Sequence, residues 1–277
     1  ELQSFLFSKQ RVICITGAGI STRSGIPDYR GPNGSYGKGH KPMQHHDFVT
    51  KESARKRYWS RSIIGIKTVM NAEPNGAHRA LFDLQQRGIV KSIVTQNVDG
   101  LHQKAGSTDV IDLHGRIDGV SCISCGNKLS RVLYQQELEK LNEEYKQVSS
   151  TVSVEAGTEA RPDGDVDIGD MDSSKFTIPP CSLCGGVYKP DVVFFGDTVP
   201  RDYKEKAMHE IENSDGVLVV GSSLEVFSAF RLIRRAIELR KPIAVLNLGE
   251  TRLHRFSRDT VLDDAASSSS QPALQPL

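Results

Sequence analysis

Two short knuckles, Cys122-Ile-Ser-Cys125 and Cys181-Ser-Leu-Cys184, constrain this chain more than any other feature. Each offers two thiols across a two-residue spacer, and 55 residues separate them (181 − 125 − 1). Four thiolates in that pattern match a tetrahedral zinc site, so the fold must bring both knuckles to one point. Disulfides would require an oxidising compartment, and a chain of 277 residues can bury a core without such staples. The fifth cysteine, Cys14, lies inside an apolar run and reads as a buried thiol. Zinc held by four thiolates keeps no open position for water, so any chemistry has to come from elsewhere.

A series of short apolar runs, each ending in a polar turn, is where it can come from. Arg11-Val-Ile-Cys-Ile-Thr16 leads into Gly17-Ala18-Gly19-Ile20-Ser21-Thr22, and Gly216-Val-Leu-Val-Val220 leads into Gly221-Ser222-Ser223. Pro242-Ile-Ala-Val-Leu-Asn247 ends in Leu248-Gly249-Glu250, and Asp109-Val-Ile-Asp-Leu113 delivers His114-Gly115. The most crowded end follows Ser92-Ile-Val94: Thr95-Gln96-Asn97-Val98-Asp99-Gly100-Leu101-His102. Buried strands with such ends belong to open parallel α/β sheets, which bind ligands at their carboxyl edge. The turn after Thr16 has the strand, glycine turn and helix start of a phosphate cradle. Its Gly-x-Gly-x-x-Gly spacing fails at Thr22, and no acidic residue closes a second strand about 20 residues on. Taken alone, that turn leaves a plain strand-to-helix connection open. Several such ends converging on one sheet favour a nucleotide. No Gly-x-x-x-x-Gly-Lys-[Ser/Thr] loop is present, which excludes a P-loop ATPase.

The connecting segments are less regular. Residues 25–39 hold too many Gly and Pro for a regular element and read as a connector or a working loop, with Asp28 and Arg30 as its functional groups. One helix is expected over 47–71, with Phe48, Val49, Tyr58, Trp59, Ile63, Ile64 and Ile66 on its apolar side. Asn75 caps a helix that runs through Gln86 to a stop at Gly88, with His78 packed in the core. Further helices are expected over 201–213 and from about Ser228 to Leu239. Residues 187–197 read as extended, with Pro190 at an edge that a peptide could join as an added strand. Residues 149–172 read as loop, and the Ser-rich end beyond Arg252 reads as disordered. A net charge of +1, with eleven acidic and six basic residues over 127–180, argues against a nucleic-acid partner. No apolar run approaches the ~18 residues of a membrane span, which argues against a membrane partner.

Gly-Ala-Gly-Ile-Ser at 17–21, Gly-Ile-Pro-Asp-Tyr-Arg at 25–30, Thr-Gln-Asn-Val-Asp-Gly-Leu-His at 95–102 and His-Gly at 114–115 together resemble the sirtuin family. The two knuckles, Val-Val-Phe-Phe-Gly-Asp at 192–197, Gly-Ser-Ser-Leu at 221–224 and Asn-Leu-Gly at 247–249 fit it too. Pro-Asp-Val-Val-Phe-Phe-Gly-Asp-Thr-Val and the long insertion before the second knuckle are most similar to its class II, mitochondrial branch. The resemblance implies an α/β fold with a Rossmann-type parallel sheet as large domain, built from residues 1–39, 76–118 and 190–252. A small domain would comprise a helical insertion at 40–75 and a zinc ribbon at 119–189, with 253–277 a disordered tail.

It also implies an enzyme that consumes NAD, removing the acyl group of an acyl-lysine to give nicotinamide, O-acyl-ADP-ribose and free lysine. Mono-ADP-ribosyl transfer to a protein is the alternative use of the same site. Gly17, Ala18, Gly19, Ser21, Thr22, Asp28, Tyr29, Arg30, Gln96, Gly221, Ser222, Ser223, Asn247, Leu248 and Gly249 fall on the motifs that hold NAD. Asn97 and Asp99 fall on positions that order the ribose and nicotinamide side, and His114 matches the general base. Val193, Phe194, Gly196, Leu224 and Val226 match peptide-clamping positions, and Cys122, Cys125, Cys181 and Cys184 the zinc ligands. Tyr58 and Arg61 resemble a Tyr-x-x-Arg pair that holds acidic acyl groups, here of the hydroxymethylglutaryl type, with lipoyl and biotinyl groups as further candidates. The partners implied are acylated lysines of metabolic enzymes such as dehydrogenases and carboxylases of the mitochondrial matrix. Four departures stand out: Tyr29 for the commoner Phe, Asp197 for Glu, Ser228 for a frequent Pro, and a divergent chain beyond Arg252.

Overall fold

The β-branched runs form one parallel sheet. In the computed structural model, which describes residues 1–32, 34–151, 161–166 and 171–257, β1 (Val12–Thr16), β2 (Val90–Thr95), β3 (Val110–Asp112), β7 (Gly216–Val220) and β8 (Ile243–Leu246) lie in the order β3-β2-β1-β7-β8. Helices cover both faces, which is why these strands are almost continuously apolar. On one face, α8 (Arg201–Glu212) and α9 (Phe227–Glu238) pack Ile211, Phe230 and Ile233 against Ile13, Ile15 and Val219. On the other, α1 (Leu2–Phe7) and α4 (Gly76–Gln86) pack Leu6 and Leu81 against Val12, Cys14 and Leu218. Cys14 is fully buried, and burial pushes its thiol far above the ordinary range, so it is inert.

Register matters more for function than composition does. Thr16 pairs with Thr95 on one side and Val220 on the other, Val220 pairs with Leu246, and Thr95 pairs with Asp112. Five strands therefore end level, and the turns that leave them share one edge. The chain runs outward from β1 to β2 and β3, then crosses back to β7 on the other flank, so the edge contains a topological switch point.

A second, antiparallel sheet in the order β5-β4-β6 carries the knuckles: β4 (Gly115–Cys122), β5 (Lys128–Ser130) and β6 (Tyr188–Val192). Pro190 lies in β6, at the sheet's edge. Against this sheet pack α3 (Glu52–Asn71), α6 (Arg131–Leu141) and α7 (Glu143–Thr151), around Trp59, Tyr134, Leu138, Phe176 and Tyr188. Arg131 is wholly buried there, donating to Ser62 and Gln135 and lying 5.4 Å from the Trp59 ring.

Several expectations change. The helix over 47–71 is two helices, α2 (His45–Thr50) and α3, broken at Lys51 with φ −112° and ψ 116°. Arg55 donates to the carbonyls of Phe48 and Val49, satisfying the end of α2 from the next helix. Val49 is correspondingly exposed rather than apolar core. The loop expected at 149–172 begins later, because α7 continues to Thr151; residues 152–160 and 167–170 lie outside the described residues. Past Arg252 the chain is helical over 252–257, with Leu253 buried on the large sheet's helical face; the expected disorder over 258–277 lies outside the described residues. Asn75 caps α4 as expected, in a reciprocal box with His78, and Gly88 follows the helix at φ +72°.

Gly115 is the point where the chain leaves the parallel sheet for the antiparallel one. Its φ is +77°, and a Cβ there would stand 2.0 Å from the Asp191 carbonyl oxygen. Gly115→Ala is expected to destabilise the fold by about 2–4 kcal/mol, combining a left-handed penalty with overpacking. Denaturant titration measures this as a lower midpoint at unchanged slope.

Candidate active site

The level strand ends enclose a cleft of about 660 Å³. Its walls are glycine turns on the β1 and β7 side, the 28–31 loop above, and the segment after β6. The turn after β1 is a tight 3-10 turn, Ala18–Ser24, and not the α-helix start that the glycine pattern predicts. Gly25 at φ +83° and Pro27 end it within seven residues. The turn lies directly on the β7 turn: Gly19 N donates to Gly221 O at 2.9 Å, and a Cβ on Gly221 would stand 2.4 Å from Ile20 N. These glycines let the two turns lie backbone against backbone, at a distance a Cβ would violate.

Of the cofactor positions, Gly17, Ala18, Gly19, Asp28, Tyr29, Arg30, Gln96, Asn97, Gly221, Ser222, Ser223, Asn247 and Leu248 line this cleft, and so does His114. Asp28 accepts from Gly31 N at 2.8 Å, folding its loop into a turn, and Arg30 lies 4.9 Å from the Tyr36 ring. Gln96 straps the edge together, donating to Thr16 O at 3.1 Å and to Ser222 Oγ at 2.7 Å. Asn97 donates to Gly17 O and Ser21 Oγ, both at 3.1 Å, which leaves its carbonyl oxygen as the group it can offer a ligand.

Four of the predicted cofactor positions are not on the wall. Ser21 is buried behind it and donates to Asp99 Oδ2 at 2.7 Å, while Asp99 Oδ1 accepts from Leu101 N at 2.9 Å. Both carboxylate oxygens of Asp99 are thus engaged, and it acts through Ser21 and Asn97. Thr22 points away, its hydroxyl on Gly19 O, and Gly249 is likewise off the wall. Leu224, predicted as a peptide-clamping position, is also off the wall: it is fully buried in the large-sheet core at φ +58°. Val193, Phe194, Gly196 and Val226 do line the cleft. The segment containing the first three is held by His45 N donating to Phe195 O at 2.8 Å and by Asp197 between His45 and Lys189.

Tyr58 and Arg61 lie elsewhere. Tyr58 is buried in an aromatic cluster with Phe48, Trp59 and Phe194. Arg61 Nε donates to Val166 O at 2.8 Å and pairs with Asp165 Oδ1 at 3.0 Å, so the insertion supplies a carboxylate of its own. Sequence reading missed that insertion as part of the site. Asp163 lines the cleft, and burial together with the Asp165 charge pushes its carboxyl up to about 6. Gly65 on α3 makes this possible: a Cβ there would meet Gly164 O at 2.4 Å.

The histidines divide cleanly. His102 Nε2 lies 2.9 Å from Thr16 Oγ1, which itself donates to Thr95 Oγ1; the His102 Nδ1 has no partner among the described residues, and burial lowers the pKa of His102 to about 3. It is a neutral structural group. His114 is half-buried on the cleft wall, and its Nδ1 lies 3.0 Å from Gln96 O. A carbonyl only accepts, so Nδ1 carries the hydrogen and Nε2 carries the lone pair. Burial holds the His114 pKa below its ordinary value, partly offset by the Gln96 carbonyl. A neutral imidazole at neutral pH is what a general base needs.

The four knuckle sulfurs lie within 4.8 Å of one another, with Cys122–Cys184 at 3.6 Å and Cys125–Cys181 at 3.7 Å. Sulfurs about 2.3 Å from a tetrahedral zinc stand about 3.8 Å apart, so the set fits one zinc ion.

The Sir2 family profile matches residues 17–228. The chain belongs to the Sir2 family. It is 45% identical over 252 residues to NAD-dependent protein deacetylase 2 of Bradyrhizobium diazoefficiens, covering 91% of this chain and 89% of that one. It is 44% identical over 254 residues to the NAD-dependent protein deacylase Sirt4 of Drosophila melanogaster, covering 91% and 79%. A solved Sir2–p53 peptide–NAD+ complex matches with TM-score 0.69 and 27% identity over 96% of this chain and 98% of that one. Sir2-family membership brings NAD as co-substrate, a structural zinc and NAD-dependent protein deacylase activity. The NAD would be held by the glycine turns and the Gln96–Asn97 segment, and it supplies the electrophilic carbon that accepts the acyl oxygen.

Two outcomes follow from this geometry. Purified protein is expected to carry one zinc per chain by elemental analysis, and Cys181→Ser to lose it with a lower melting temperature. With His114 as the general base and its pKa lowered by burial, kcat/KM would be expected to hold as pH falls through about 6.5 and to decline only below it. A pH–rate profile with its acid limb above that value would contradict the burial argument.

Proposed function

We propose that this Sir2-family chain is a protein-lysine deacylase preferring bulky uncharged acyl groups, of the lipoyl and biotinyl kind, over acidic ones. The carrying observation is the neutral His114 base beside Asn97 at the level strand ends, next to a cleft wall that includes Asp163. The acidic, hydroxymethylglutaryl-type preference inferred from Tyr58 and Arg61 weakens on this geometry. Arg61 is already paired with Asp165, which Arg161 shares at 2.7 Å, so an acidic acyl chain would have to compete with that carboxylate beside Asp163. Under this reading the partners are acylated lysines of mitochondrial dehydrogenases and carboxylases.

An acyl-peptide panel with NAD, read by nicotinamide release and product mass, tests this. Lipoyl and biotinyl peptides are expected to exceed acetyl and glutaryl-type peptides in kcat/KM, and O-acyl-ADP-ribose to be the product. A modified acceptor protein in its place would support ADP-ribosyl transfer. Asp165→Asn is expected to raise the glutaryl-type to acetyl ratio roughly tenfold, the value of one charge-assisted bond of about 1.4 kcal/mol freed on Arg61. An unchanged ratio would remove Arg61 and Asp165 from acyl selection.

A further inference from the structure

The lone pair on the His114 base is not open to the cleft. Its Nε2 lies 2.7 Å from Ser228 Oγ. Because Gln96 O takes the Nδ1 hydrogen, Nε2 can only accept, so the serine hydroxyl must donate to it. Ser228 also lines the cleft and stands in the first turn of α9. Its neighbours Ala229 and Phe230 are buried in the large-sheet core and fix the helix start. The hydroxyl is therefore held on the base by the fold.

We infer that Ser228 is a further catalytic residue, the hydroxyl through which His114 receives a proton from the substrate. The inference rests on the deacylase reading. A cleft-bound hydroxyl of the co-substrate donates to Ser228 Oγ while Ser228 donates to Nε2. As the substrate O–H bond breaks, its proton passes to Ser228 Oγ, and the proton already on Ser228 passes to Nε2. Ser228 stays neutral, His114 becomes imidazolium, and the substrate oxygen keeps the electron pair with which it would form a bond to the carbon of the acyl group. The alternative geometry, direct transfer to Nε2, requires breaking a 2.7 Å hydrogen bond first. A hydroxyl has one donor and two acceptor sites, so Ser228 can serve both neighbours at once.

The test compares wild type with Ser228→Ala, Ser228→Thr and His114→Ala. Ser228→Ala is expected to lower kcat for deacylation roughly 10²-fold, the low end for general acid–base groups, with KM for NAD and acyl-peptide unchanged. Exchange of labelled nicotinamide into NAD, which needs only the bond between nicotinamide and ribose to break and re-form and no proton to be taken from a hydroxyl, should persist. Ser228→Thr should restore most of kcat. In the free enzyme, the Nε2 15N resonance of His114 should shift in Ser228→Ala toward that of an unbonded imine nitrogen and stay put in Ser228→Thr. Deacylation by Ser228→Ala at or above the wild-type rate would overturn the relay. So would equal loss of exchange and deacylation, failure of threonine to rescue, or an unmoved resonance. A wild-type protein silent on every acyl-peptide would instead overturn the deacylase reading, and the nitrogen resonance would still decide the bond.

Discussion

Two backbones pressed together without a side chain between them hold this site in shape. The turn after β1 and the turn after β7 meet through Gly19 and Gly221, at a distance that a single Cβ on either would violate. That contact positions Ser222, whose hydroxyl accepts from Gln96. Gln96 in turn spans to Thr16 and presents its own carbonyl to His114. The carbonyl that faces His114 is on the Gln96 main chain, which Gln96 N donating to Thr16 O ties to the same strand end.

The parallel sheet was legible because its strands are buried on both faces and leave a continuous apolar run in the sequence. The polar ends were legible for the same reason, since a crowd of Gln, Asn, Asp and His has no packing role beside such a run. What local pattern could not carry is which of those groups reach the cleft. Ser21 and Asp99 satisfy each other behind the wall, a pairing between residues far apart in the chain. Arg61 finds Asp165 across a still longer separation, so a motif that matched by spacing was reassigned by an insertion. The break at Lys51 had no Gly or Pro to announce it, because it is stabilised by Arg55 from the following helix. Ser228 left one trace, a departure from the common proline, whose meaning needed the position of Nε2.

The zinc module is chemically inert, yet it is not remote from the reaction. Cys122 and Cys181 belong to one buried cluster that also contains Trp59, Tyr188, Ile117, Val98 and Leu101. Val98 and Leu101 flank Asp99, the residue that orients Ser21 and through it Asn97. The two knuckles therefore pack into the same core as the residues that flank Asp99. Large substitutions in such a cluster are transmitted because close-packed interiors shift as units. The insertion joins at the same place, with Val166 in the cluster and Gly164 against Gly65. A single packed core thus joins three things: Cys122 and Cys181 of the metal site, the insertion that carries Asp163 to the cleft wall, and Val98, the chain neighbour of Asn97.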